Sequence, residues 1–206
     1  DIRSEGKGVL AFGNQKVLGM PPFLLDGKCT AETALAVMEA AGVDAAVVTQ
    51  EYIDGNQNAY LAKVQKKYPD KFFVHGLLEF RRPENLAREF SRVMKKYGFR
   101  GIKVPAHHLL GPGGRVMLTD TRVMKVFERM EENGMILSID LAEGDTQVRE
   151  MREVIRAFPR LPVAIGHFAM AGRKGWLKQL ALAEEKNVYV ESGGITWLFR
   201  KEGPPF

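Results

Sequence analysis

Two side chains capable of acid–base or metal chemistry close short apolar runs of this sequence. His167 ends the run LPVAIGH (161–167), and Asp140 ends the run MILSID (135–140). A carboxylate or an imidazole can deprotonate water, and a cation or metal ion beside it can polarise a scissile carbonyl group. A buried carboxylate is costly unless it is paired, so Asp140 requires a cation, a metal ion or hydrogen-bond donors. We predict that His167 and Asp140 are catalytic, with a structural role for each as the alternative.

A second group of polar side chains could hold an anionic substrate. Lys103 is charged within the apolar part of GFRGIKVPAHH (98–108), where it can bind an anion, pair with Asp140 or extend its ammonium outwards. Two histidines open the long loop behind this run and are either solvated or folded over the site. A carboxylate and a hydroxyl close the run NVYVES, and the small residues after them permit close approach of a ligand. The predicted substrate-binding residues are Lys103, His107, His108, Glu191 and Ser192.

The elements that must position these residues repeat along the chain. Helix ends marked by Gly, Pro or Asn are each followed by a short β-branched or aromatic run, too short for another helix. Six such runs, spaced 26 to 36 residues apart, predict six βα units and a parallel sheet. Helix starts are indicated by Thr30, Pro83, Asp120 and Asp145. The predicted strands begin near Ala45, Phe72, Phe99, Met135, Pro162 and Val188.

Six βα units suit either a doubly wound sheet or most of a (β/α)8 barrel, and the barrel is favoured. No G-x-G-x-x-G motif opens a helix after these runs, and GPGG (111–114) indicates a flexible loop rather than a phosphate-binding turn. In a barrel, chemistry collects at the carboxyl ends of the strands. Strand alternation places Ser138 and Asp140 on the same face of their strand. It likewise places Val163, Ile165 and His167 on the same face of the next strand. We therefore expect Asp140 and His167 to meet in one cavity at the same rim.

Composition excludes several classes of protein. The net charge of +5 comes from basic residues dispersed over helix ends and turns, which argues against nucleic-acid binding. The apolar runs are far shorter than a membrane span of about 20 residues. Cys29 is the sole cysteine, so neither an intrachain disulfide nor a thiolate cluster can form, and a cytoplasmic location fits. No G-x-S-x-G motif supports a covalent nucleophile. We predict one domain over residues 1–206.

The order of several segments resembles the amidohydrolase-related metal-dependent hydrolases (amidohydrolase family 2). The segments are AAGVDAAVVTQ, YGFRGIKV, ILSIDL, FPRLPVAIGHFA and NVYVESGG. The nearest branch holds 2-pyrone-4,6-dicarboxylate lactonase and sugar-acid lactonases. The resemblance implies an α/β fold, a distorted (β/α)8 TIM-like barrel. The family's His-x-His on the first strand and its aspartate on the eighth do not occur here, so we expect those two strands to be missing and the domain to be incomplete at both ends.

The resemblance also implies roles for individual residues. His167 matches the family's histidine on the sixth barrel strand, which binds metal or assists the attacking water. Asp140 falls at the fifth strand, where many members carry a metal-binding histidine. Lys103 matches a position of the fourth strand where the branch often has an arginine, which implies contact with a substrate carboxylate. One divalent metal ion, Zn²⁺, with His167 and Asp140 as ligands is therefore expected, and a metal-free lactonase is the alternative.

The function implied is a hydrolase that uses activated water to open a lactone or similar cyclic ester of an acidic small molecule. A metal-dependent non-oxidative decarboxylase on the same barrel is one alternative. A degenerate barrel that binds a ligand without turnover is another. The expected partner is a small carboxylate-bearing substrate, with no nucleic acid and no membrane, and the resemblance allows a homodimer.

Overall fold

Six parallel strands form the main sheet of the computed structural model, which describes residues 2–6, 9–18, 29–142 and 144–194. The strands lie in the sheet in chain order, each hydrogen-bonded to the next. A doubly wound sheet reverses this order at a switch point, whereas a barrel keeps it. The strands are β1 (Ala46–Val48), β2 (Phe72–Leu77), β3 (Gly101–Pro105), β4 (Ile136–Asp140), β5 (Val163–Ile165) and β6 (Val188–Val190).

This sheet confirms the predicted partial (β/α)8 barrel, with six of its strands among the described residues. Every strand begins within two residues of its predicted start. Val47 on β1 and Tyr189 on β6, the two edge strands, are more than half exposed. The prediction that residues 1–206 form one domain, incomplete at both ends, extends beyond the described residues and stays a prediction.

Helices connect the strands on the outer side of the sheet. Thr30 and Asp120 cap the first and fourth helices as predicted, each accepting a hydrogen bond from a backbone N–H of the first turn. Asp145 does not cap the fifth helix, because its carboxylate pairs with Lys178 and Gln147 occupies the cap position. The five long helices are α1 (Ala31–Ala40), α2 (Asn58–Lys67), α3 (Leu86–Tyr97), α4 (Thr121–Glu132) and α5 (Val148–Ala157).

Short segments complete the connections. The link from β5 to β6 holds a single turn (His167–Met170), a short helix (Trp176–Leu180) and a 3-10 turn (Ala181–Glu184). The other 3-10 turns are Tyr52–Asp54, Pro83–Asn85 and Ala106–His108. No helix among the described residues has both the length and the apolar character to cross a membrane.

The core lies between the sheet and the helices, and alternation along the strands decides which residues enter it. Leu137 and Ile139 of β4 and Val163 and Ile165 of β5 are fully buried in this core. Each such side chain contributes about 1.5–3 kcal/mol when fully buried. The expectation that Val163 and Ile165 share a face with His167 was wrong. Ala164, which pairs with Ser138 of β4, faces the inner cavity instead.

Two antiparallel units were not predicted. Strands Ile2–Gly6, Val9–Phe12 and Gln15–Leu18 form a three-stranded sheet, with Gly13 at positive φ in the second turn. The GPGG segment, expected to be a flexible loop, is a hairpin whose strands are Leu110–Gly111 and Gly114–Arg115. The buried Glu150 of α5 ties this hairpin down, because its carboxylate binds the Arg115 guanidinium and the Leu118 N–H.

Candidate active site

Charged side chains from five of the six strands converge at the carboxyl ends of the sheet. Lys103 and Asp140 lie within β3 and β4, Glu51 follows β1, and His167 and Glu191 follow β5 and β6. Lys103, His167 and Glu191 line an inner cavity of about 580 Å³. The His167 Nε2 lies 3.5 Å from the Asp140 Oδ2, so the structure brings together the two residues predicted to be catalytic.

The centre of the cluster is a buried ion pair. The side chain of Asp140 is 1% exposed and that of Lys103 is 6% exposed, with Nζ 2.5 Å from Oδ2. Burial acts to raise the pKa of Asp140, but the hydrogen bond with His167 and the charge of Lys103 outweigh it and hold this pKa well below its ordinary value. Lys103 is thus the cation that the buried carboxylate required. Its Nζ also lies 3.6 Å from Glu51 Oε1.

His167 reaches the cavity through an unusual backbone. The four residues of the turn His167–Met170 all have φ between 48° and 56°, a left-handed conformation that costs L-residues about 1–2 kcal/mol each. Simple alternation would send His167 towards the helices, since Gly166 occupies the inward position beside Asp140. The turn re-aims the imidazole at Asp140, which raises the pKa of His167. The other ring nitrogen, Nδ1, lies 3.3 Å from the Gly193 carbonyl oxygen.

Glu191 holds this turn in place. Its carboxylate accepts hydrogen bonds from the backbone N–H groups of His167 and Gly193, and its backbone oxygen accepts from Phe168 N–H at 2.8 Å. Hydrogen bonds of this kind can stabilise a strained segment that would not persist alone. The prediction that Glu191 binds substrate stays a prediction, as does that for Ser192, which is exposed beside it.

Glu51 was missed by the sequence analysis. It is the first carboxylate after β1, and the rule applied to Asp140, that polar residues at strand ends carry chemistry, would have found it. Burial raises its pKa to about 7, and the neighbouring Asp140 carboxylate adds to this while Lys103 opposes it. The two carboxylates therefore differ in protonation near neutral pH, with Asp140 ionised and Glu51 shared between its two forms.

The two loop histidines lie beside Glu51. His107 Nε2 is 4.0 Å from Glu51 Oε2, and the rings of His107 and His108 lie against each other at a tilt of 46°, with centroids 4.0 Å apart. Burial lowers the pKa of His107, and His108 lowers it further. Both histidines thus border the charged cluster, as their predicted role in substrate binding requires, although that role itself stays a prediction.

His75 forms a layer below the cluster. Its Nδ1 lies 2.7 Å from Ser138 Oγ, and its ring crosses over Gly101, where any Cβ would overlap the imidazole. Burial lowers the pKa of His75 to about 4, with the charge of Lys103 acting in the same direction. A neutral, hydrogen-bonded His75 therefore supports the wall of the cavity beneath Lys103.

Donor atoms for a metal ion occur in two sets. The predicted ligands Asp140 and His167 provide two donors, but Asp140 Oδ2 already faces the Lys103 ammonium. The Oδ1 atom of Asp140 accepts no hydrogen bond from the described residues and has free lone pairs. The second set, Glu51, His107 and His108, has donor atoms within 4.8 Å of one another. Assignment of a metal to Asp140 and His167 stays a prediction.

Fold and site together define a barrel protein with a charged cluster where barrel enzymes carry their chemistry. The amidohydrolase family model matches residues 16–206, and the chain belongs to the amidohydrolase family. This confirms the resemblance drawn from the sequence. No curated protein matches the chain.

Solved structures share the fold at low sequence identity. A probable 2-pyrone-4,6-dicarboxylic acid hydrolase from Acinetobacter baumannii, with citric acid bound, superposes with a TM-score of 0.65 and 14% identity over 83% of this chain and 62% of that one. A 2,6-dihydroxybenzoate decarboxylase from Rhizobium superposes with a TM-score of 0.52 and 16% identity, over 68% of this chain and 56% of that one. The 5-carboxyvanillate decarboxylase of Novosphingobium aromaticivorans, complexed with manganese, superposes with a TM-score of 0.54 and 21% identity, over 80% of this chain and 63% of that one. The chain thus spans about three fifths of these proteins.

Proposed function

We propose that this chain carries the catalytic cluster of a hydrolase that opens a lactone or similar cyclic ester of an acidic small molecule. The observation that carries the proposal is the buried Lys103–Asp140 ion pair with the His167 imidazole against it, at the ends of three neighbouring strands. Family membership supports hydrolytic chemistry, and one structure of the same fold is described as a dicarboxylic acid hydrolase.

In this proposal His167 acts as the general base. Nε2 faces the ionised Asp140, which stabilises the imidazolium that forms, so Nδ1 must turn from the Gly193 carbonyl oxygen to accept a proton from water. Glu51, with a pKa of about 7, is able to return a proton to the leaving alkoxide near neutral pH. The chain thereby offers one group to take up a proton and another to release one.

Lys103 and the loop histidines would bind the substrate. An ammonium has three donors; Asp140 takes one from Lys103, and Glu51 Oε1, at 3.6 Å, is beyond hydrogen-bond distance, so Lys103 keeps donors for a substrate oxygen. We assign His107 and His108 to a substrate carboxylate at the open side of the cluster. Glu191 and Ser192 remain the predicted contacts at the opposite side.

The predicted cofactor belongs to the same proposal. A divalent metal ion, when bound, polarises an ester carbonyl and lowers the pKa of its water ligand. His167 and the free Oδ1 of Asp140 are the predicted donors to Zn²⁺. Metal-free hydrolysis is the alternative, in which Lys103 supplies the positive charge.

The experiment is steady-state kinetics on a panel of lactones that carry carboxylates. We expect His167→Asn to lower kcat by at least about 100-fold if the residue is the general base. Thermal unfolding of the variant serves as the control for its fold. Turnover equal to that of the unmodified chain would remove His167 from the mechanism.

A decarboxylase is the second candidate, because two structures that share the fold are decarboxylases of hydroxylated aromatic acids. Release of CO₂ from such acids, with no ring-opened product from lactones, would decide for it. Absence of both activities together with absence of metal binding would favour the non-catalytic barrel. A homodimer and a cytoplasmic location complete the proposal, and light scattering of the purified chain tests the dimer.

A further inference from the structure

We propose that Glu51, His107 and His108 form a binding site for a divalent transition-metal ion, separate from the Asp140–His167 pair; with the ion bound, these three residues are its ligands in place of the proton-donating and substrate-binding roles given to them above. One carboxylate and two imidazoles are a donor set that suits Zn²⁺ and other first-row divalent ions. The three residues come from the loops after β1 and β3, which the parallel sheet brings to one rim.

The distances require only small side-chain movements. The three donor atoms lie within 4.8 Å of one another, and His107 Nε2 is 4.0 Å from Glu51 Oε2. Two donors at about 2.0–2.2 Å from one ion and at the tetrahedral angle are about 3.3–3.6 Å apart. The set therefore closes around an ion with side-chain shifts of about an ångström, which the exposed His108 can make.

His107 is already oriented as a ligand. Its Nδ1 lies 3.4 Å from the backbone oxygen of Asp140. Donation of a hydrogen bond to that oxygen fixes the tautomer in which Nε2 is unprotonated, and Nε2 is the atom that faces Glu51. Metal-binding histidines characteristically make this contact through their second ring nitrogen.

The Glu51 carboxylate lacks hydrogen-bond donors. Both of its oxygens are buried, and neither accepts a hydrogen bond from the residues that the structure describes. In its ionised form a carboxylate is an acceptor only, so buried oxygens without donors favour a cation beside them. The Lys103 ammonium is 3.6 Å from Oε1, beyond hydrogen-bond distance, and makes its closer contact with Asp140 Oδ2 at 2.5 Å.

The backbone on both sides of the site is anchored. Gln147 donates a hydrogen bond to the Ala106 oxygen at 2.8 Å, at the start of the turn that carries both histidines. Tyr52, next to Glu51, donates to the Leu78 oxygen at 2.9 Å. Three protein donors on a fixed frame leave coordination positions open, as in catalytic rather than structural metal sites.

The test measures metal binding to the 206-residue chain in the absence of substrate. Co²⁺ is titrated and followed by its d–d absorption, and Zn²⁺ affinity is measured by competition with a chromogenic chelator. We expect one ion at this site in each chain, counted separately from any ion on Asp140 and His167. Glu51→Gln, His107→Ala and His108→Ala should each weaken Zn²⁺ binding at least about 100-fold, since even the loss of an outer partner costs 10–100-fold.

Two variants act as controls. His167→Ala removes the rival donor set, and Glu128→Gln removes an exposed carboxylate of α4; both should leave affinity within about threefold. Failure of the unmodified chain to bind overturns the proposal. Binding that is retained in Glu51→Gln also overturns it, because it would indicate an adventitious histidine pair. Loss of binding in His167→Ala, with binding retained in the other variants, overturns it as well. Because no substrate is used, absence of lactone turnover does not affect the result.

Discussion

Replacing Lys103 with methionine removes the ammonium group that faces the buried carboxylate of Asp140. The methionine keeps most of the volume of the lysine stem, so the change acts chiefly on charge. His167 Nε2, 3.5 Å from Oδ2, remains to compensate the carboxylate in part. Breaking a buried ion pair by removing one partner costs about 3–5 kcal/mol, and we expect about 3 kcal/mol at pH 7 because His167 remains.

The loss should depend on pH in a defined direction. In the unmodified chain the pKa of Asp140 is depressed, so its contribution is present above the unfolded-state pKa of about 3.9 and is lost as pH falls through the folded-state value. In Lys103→Met the ammonium no longer opposes the effect of burial, so the pKa of Asp140 should rise. Protonation of the buried carboxylate then removes the free-energy cost of its unpaired charge. The stability difference between the two proteins should therefore shrink from pH 7 to pH 4.

The assay is urea unfolding followed by circular dichroism at both pH values. Arg149→Met provides the control, because Arg149 and Glu153 form an ion pair whose side chains are 91% and 52% exposed, and its loss should cost at most about 0.5 kcal/mol. The double variant Lys103→Met with Asp140→Leu should be less destabilised than the single one. A single-variant loss equal to the control, or one that is unchanged at pH 4, would refute the reasoning.

Three further predictions concern the neighbours of this pair. Gly166→Ala places a Cβ over Asp140 Oδ1 and should destabilise by about 1–3 kcal/mol in urea unfolding, whereas Gly113→Ala, with open space around it, should cost far less; equal losses would contradict the close approach. Asp140→Asn should lower the pKa of His167 towards its ordinary value in an NMR titration. In the unmodified chain the charged imidazole stabilises the fold below about pH 6.5, and this contribution is lost as pH rises through the raised pKa. The variant should lack this contribution. Glu191→Ala should raise KM and lower kcat together by freeing the left-handed turn, and an unchanged kcat would show that the turn holds without it.

The strand positions were predictable because each strand follows a strong helix stop. Gly98 has a left-handed conformation at the end of α3, and a turn around Gly134 separates α4 from β4. These signals depend only on residues close in sequence, so they do not change with the tertiary contacts of the rest of the chain. The N-terminal antiparallel sheet lacked such a helix context and was missed.

Side-chain direction after a strand could not be predicted in the same way. Alternation gives the correct face for Ser138 and Asp140 because both lie within β4. It fails for His167, which is beyond β5, where four consecutive residues adopt positive φ. That conformation is held by Glu191, a residue 24 positions away, so no local pattern announces it. His167 and Asp140 meet as expected, but for a different geometric reason.

The partner of Asp140 depends on strand register, which the sequence leaves open. In the parallel pairing of β3 with β4, Lys103 lies opposite Ser138, and Pro105 lies opposite Asp140. The long lysine side chain therefore reaches two positions along its neighbour, and a shift of one residue would turn it to the helix layer. Because Lys103 already neutralises the Asp140 carboxylate, the charge of Asp140 is balanced within the chain. A metal ion then gains more from the Glu51 carboxylate with its two histidines, because the same ammonium is 3.6 Å from Glu51 Oε1 but 2.5 Å from Asp140 Oδ2.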